Sequence, residues 1–130
     1  MKRTPLSSFV IASSLPVIVW PLFGLAMATR RTGAEFDFSI AAIFIPLVFG
    51  AYHAATVALG VKRSPRNTLI AGAILGLFLS SLGTFVLRIP ETVYGMEGNT
   101  IYLMLLGGPL FYGAVWFFAL RPLENYLYDR

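Results

Sequence analysis

His53 is the only histidine in a chain that has no cysteine. It lies in an apolar run, about three residues past the centre, so roughly 5 Å from mid-span at the rise of an α-helix. The same depth count brings Ser13 and Ser14 of the first apolar run, and Tyr112 of the last, to the level of the imidazole. Small neighbours (Gly50, Ala51, Ala54 and Ala55) leave space around the ring. Ser13, Ser14, His53 and Tyr112 are therefore the expected intramembrane polar cluster. Three chemistries are open to such a histidine. It can be a neutral ring satisfied by a hydroxyl, since buried polar groups require partners. It can be an axial ligand for a haem or a chlorophyll-type pigment, a second histidine for a bis-histidine haem having to come from another subunit. Or it can line a path for a small neutral or apolar solute.

The remaining charged groups lie outside the apolar runs. Arg30, Arg31, Glu35, Asp37, Arg88, Glu91 and Glu97 gather in two loops, where Arg88 is placed to pair with Glu35 or Asp37. Exposed pairs of this kind are worth only about 0–1 kcal/mol. No Asp, Glu, Lys or Arg falls within an expected span, which argues against proton- or ion-coupled transport, where an ionisable side chain is held in hydrocarbon for a purpose. A hydrolase or transferase site needs convergent acid, base or metal-ligating groups, and these loops offer carboxylates without His or Cys. Without cysteine there is no disulfide, thiolate metal site or iron–sulfur ligation. The reading leans away from an enzyme without closing the question, and no catalytic residue or metal ligand is assigned.

These residues must be carried by membrane-spanning elements. Of 130 residues, 57% are hydrophobic and 12% charged, with a mean hydropathy of +0.74; soluble domains carry about a quarter charged residues. Four apolar segments predict helices over about 6–28, 38–61, 68–87 and 101–120, making residues 1–130 one four-span domain. The first follows the basic start Lys2-Arg3 and ends on Ala26-Met27-Ala28, a pattern like a signal-peptidase site. Its length favours a retained span, bent near Leu15–Trp20 by Pro16 and Pro21. Asn67 or Thr68 is the expected cap of the third helix, and Gly107-Gly108-Pro109 the expected break in the fourth. The tail from Arg121 is amphipathic enough to lie along the membrane surface.

The third helix holds the strongest packing signal. Gly72, Gly76, Ser80 and Gly83 recur every three to four residues, a small-residue ridge that lets another backbone approach closely. That partner is either a helix of the same chain or another protein.

Four spans put both termini on one side. Lys2, Arg3, Lys62, Arg63, Arg66, Arg121 and Arg130 fall there, against Arg30, Arg31 and Arg88 opposite, so both termini are expected in the cytoplasm. The small net charge of +4, spread over loops and termini, gives nucleic acid nothing to hold. The fold class expected is an all-α four-helix transmembrane bundle with short loops, in a plasma or inner membrane. The leading expectation for function is a non-catalytic accessory or assembly subunit or scaffold, associating with the bilayer and with other membrane subunits or with itself through the third helix. A homo-oligomeric carrier or channel for a small neutral or apolar solute is the alternative, and a haem- or pigment-bearing subunit using His53 is the second.

Overall fold

The structure, a computed structural model, describes the backbone of residues 1–29, 38–86, 88–92 and 95–129, and the side chains of 1–17, 44–86, 88, 90–91 and 95–129. It is all-helical, with four long helices and no strand among the described residues. Helix α1 is Pro5–Thr29 and α2 is Phe38–Ala58. Helix α3, Pro65–Ser81, runs into a wider π-turn at Leu82–Val86. A short α4 is Ile89–Thr92. A 3-10 turn at Gly98–Ile101 leads into α5, Tyr102–Val115; a π-turn at Trp116–Leu120 then connects it directly to α6, Arg121–Tyr128. Two of these stretches, Pro65–Val86 and Gly98–Tyr128, are long and apolar enough to cross a membrane.

Local chemistry sets the ends. Thr4 and Ser7 cap α1 reciprocally: the Ser7 amide donates to Thr4 Oγ1 at 3.2 Å, and the Thr4 amide donates to Ser7 Oγ at 3.0 Å. Pro5 follows in the first turn, where its missing N–H costs nothing. Helix α2 ends on Gly60, whose φ of +75° is a left-handed conformation that glycine adopts without strain. There the Val61 amide reaches back to Thr56 O and that of Gly60 to Val57 O, closing a Schellman motif. Ser64, not Asn67 or Thr68, caps α3: its side chain accepts from the Asn67 amide at 3.1 Å. Pro65 decides this, because its fixed φ suits the first helical position.

The expected break at Gly107-Gly108-Pro109 does not occur. Pro109 lies inside α5 and removes the donor that would normally reach Leu105 O. The Ser80 hydroxyl of α3 lies 3.3 Å from that carbonyl and equally far from Leu77 O, so a neighbouring side chain supplies the missing donor. The chain from Arg121 does not lie apart as a surface tail either. It continues the last helix, after a widening for which Pro122 gives the reason. In a regular helix its ring would press on the Phe118 carbonyl, and the Arg121 amide here bonds five residues back, to Trp116 O. The expected bend of α1 at Leu15–Trp20 lies partly outside the described side chains.

Helix α1 packs along α2, and α3 along α5. The ridge on α3 is spent within the chain, since Gly72 faces Tyr112 and Gly113 while Gly76 faces Gly108 and Pro109. Gly83 is also buried. Trp116 joins the two helix pairs. It is fully buried, with Phe49 of α2 edge-on at 5.0 Å between ring centroids, in a core that includes Ile11, Ala12, Leu15, Leu75 and Leu120. The opposite faces of α3 and α5 carry exposed large apolar side chains, among them Ile74, Phe78, Leu106 and Leu110.

Candidate functional site

The end that carries both termini is polar and closely tied. Arg3 Nη1 donates to Val61 O at 3.2 Å, joining the N-terminal segment to the α2–α3 turn. Arg63 in that turn reaches Asp129 at 2.6 Å and stacks over Tyr128 at 5.8 Å from the ring centroid. The Tyr128 hydroxyl lies 3.0 Å from both Ser7 Oγ and Ser8 Oγ of α1. The start of α1, the α2–α3 turn and the end of α6 therefore meet here, and beneath this layer lies the site.

His53 Nε2 is 2.8 Å from Glu124 Oε1, with the two side chains 5% and 1% exposed. Arg3 Nε lies 3.6 Å from the same oxygen. On the other side of the ring, Thr56 Oγ1 is 3.4 Å from Nδ1 while donating to His53 O at 2.7 Å. The Thr56 hydroxyl donates to the backbone carbonyl at the shorter distance, and the ring nitrogen is its longer contact. Trp116 stands edge-on to the imidazole at 6.2 Å.

The elements explain this convergence. The Schellman turn after α2 brings Lys62 and Arg63 back over His53. On the last helix, Trp116, Leu120 and Glu124 follow one another four residues apart, and all three are buried. Glu124 thus occupies the next position on the core-facing stripe, and the widened turn adjusts its register. Beside the pair is a recess of about 10 Å³, lined by Arg3, His53, Thr56, Lys62, Asn67, Trp116 and Glu124 among others. That is about the space of one water molecule.

The expected cluster assembles only around His53, and with a different partner. Ser13 Oγ is buried against Gly50 across the α1–α2 contact and has no hydrogen-bond partner among the described residues. Ser14 Oγ donates to its own helix at Ile11 O, 2.7 Å away. Tyr112 packs edge-on to Phe49 at 5.5 Å. Sequence reasoning missed Glu124, Arg3 and Trp116. Glu124 is a carboxylate in the buried interior, where none was expected. As a prospective haem or pigment ligand, His53 has both ring nitrogens engaged, Nε2 by the carboxylate and Nδ1 by the hydroxyl. Among the described residues no three His, Asp or Glu side chains gather as a metal site would require. In the other loop region Arg88 pairs with Glu91; Glu35 and Asp37 lie outside the described residues.

No known family matches this chain. Nor does any characterised protein or solved structure match it. Its function is therefore argued from its own residues.

Proposed function

We propose that this is a multi-pass integral membrane protein of four spans, with both termini and the α2–α3 turn on the cytoplasmic side, acting as a non-catalytic accessory or assembly subunit. The observation that carries the reading is the pair of apolar outer faces on α3 and α5, where Ile74, Phe78, Leu106 and Leu110 are each more than half exposed. Water does not accommodate such contiguous faces; lipid tails and the helices of partner subunits do. Since the small-residue ridge of α3 is spent against α5, association falls to these outer faces.

The charge distribution supports the orientation. Lys2, Arg3, Lys62, Arg63, Arg66 and Arg121 all belong to the end where the termini and the α2–α3 turn are tied together. The engagement of His53 by Glu124 and Thr56 favours a subunit without a pigment or haem.

Gentle extraction from the native membrane, followed by mass and absorption measurements, tests this reading. The expected result is co-extraction with unrelated chains at a fixed ratio and no visible absorbance assignable to this subunit. A colourless assembly of this chain alone would overturn it in favour of the carrier reading. A visible band lost on His53→Ala would overturn it in favour of the cofactor reading.

A further inference from the structure

Two cations at the end of the termini stand without a counter-charge. Lys62 in the α2–α3 turn and Arg66 in the first turn of α3 are both exposed, and neither has an ion-pair partner among the described residues. The two acidic side chains described at this end are taken, Glu124 by His53 and Arg3, and Asp129 by Arg63. The turn is held in shape. Asn67 Nδ2 donates to Lys62 O at 2.9 Å, and the Asn67 amide donates to Ser64 Oγ at 3.1 Å. Arg66 also stands where the α3 dipole favours negative charge, and the first turn contains no acidic residue. An arginine there opposes its own helix unless an anion comes to it.

From Arg66 onward, Ile70, Ile74 and Phe78 follow at four-residue steps and form one row along the surface of α3. They are 45%, 55% and 58% exposed. From Arg66 to Phe78 the helix runs about 18 Å, close to half of the ~30 Å hydrocarbon core of a bilayer. Cations at the head of an apolar row of that length match an amphiphile; a free anion would meet the cations alone. We propose that Lys62 and Arg66 hold the phosphate of an anionic phospholipid from the leaflet on the side of the termini, one acyl chain lying along Ile70, Ile74 and Phe78. The site rests on the membrane-spanning reading, and it leaves Leu106 and Leu110 of α5 for partner subunits.

The test reconstitutes the full chain in phosphatidylcholine vesicles with a minor share of phosphatidylglycerol, and reads insertion by resistance to carbonate extraction. The inserted protein is then taken into mild detergent, and the lipid it retains is identified by native mass spectrometry. Phosphatidylglycerol is expected to be enriched over phosphatidylcholine as a single retained lipid per chain. Lys62→Gln/Arg66→Gln is expected to reduce that enrichment about twentyfold, each basic residue near an anionic surface being worth about fivefold. Both side chains are exposed and unpaired, so the double variant is expected to keep its fold. Lys62→Arg/Arg66→Lys, which keeps both charges, is expected to keep the enrichment. Inserted protein without enrichment, or with enrichment unchanged in the Gln variant, overturns the site and leaves the membrane reading standing. Extraction by carbonate overturns both. Displacement of the lipid by an equal concentration of inorganic phosphate would identify a free-anion site and overturn the proposal.

Discussion

Replacing Glu124 by alanine is expected to lower stability by about 3–5 kcal/mol, the cost of leaving one partner of a buried ion pair alone. The carboxylate is 1% exposed and 2.8 Å from His53 Nε2, and Asp129, the other carboxylate at this end, is held by Arg63. Arg3, 3.6 Å from the same oxygen, is left without its ion pair as well. His53→Leu should cost a comparable amount, stranding the carboxylate instead of the ring. The double variant His53→Leu/Glu124→Leu is expected to lose much less than the sum, because two apolar side chains of similar volume can fill the space without an unpaired charge. Unfolding titrations of the four proteins in a mild detergent give the coupling directly. Additive losses would mean that the two side chains do not share one interaction.

The second large effect belongs to the α3–α5 seam. A Cβ placed on Gly76 would stand 2.6 Å from the carbonyl carbon of Gly108 and 2.8 Å from Pro109 Cα. These are backbone atoms and cannot swing aside, so the helices must separate. Gly76→Leu is therefore expected to destabilise by about 3 kcal/mol or more, at the upper end of overpacking costs. Gly107, one residue before the contact, meets nothing within 4 Å. There Gly107→Ala should stabilise by about 0.4–1 kcal/mol, through the lower entropy of the unfolded chain. The same unfolding titration compares them. A Gly76→Leu protein as stable as its parent would show that α3 does not face Gly108–Pro109. A loss of assembly size with full monomer stability would return the ridge to an intermolecular role.

How much of this could be read beforehand depended on range. The helical character and the close-packing ridge were legible because they are periodic: Gly72, Gly76 and Ser80 recur at helical spacing, and apolar runs are visible without knowledge of partners. His53 was legible as the lone titratable group of its run. Glu124 was not, because Arg121, Asn125 and Asp129 make its segment polar on average, and an average hides one stripe. The signal was the continuation Trp116–Leu120–Glu124–Leu127, which puts the carboxylate on the core side of its helix. The widened turn before Pro122 was less accessible. Proline predicts a break as readily as a π-turn, and the choice between them lies in how the turn packs against α3 and α1. The uninterrupted α5 has a similar cause, since the donor that replaces the one lost at Pro109 comes from Ser80, some 29 residues earlier in the chain. A sequence shows the defect at Pro109 but not the distant group that repairs it.

Because the chain has no cysteine, single cysteines can be introduced without background, and this gives the most direct test of the four-span topology on which the functional reading rests. Lys2, Lys62 and Glu97 are exposed and suit substitution to Lys2→Cys, Lys62→Cys and Glu97→Cys. In sealed right-side-out vesicles treated with a membrane-impermeant maleimide, Glu97→Cys is expected to label at once, and Lys2→Cys and Lys62→Cys only after the vesicles are opened. Labelling of Lys62→Cys and Glu97→Cys from the same side of the sealed membrane would contradict the account.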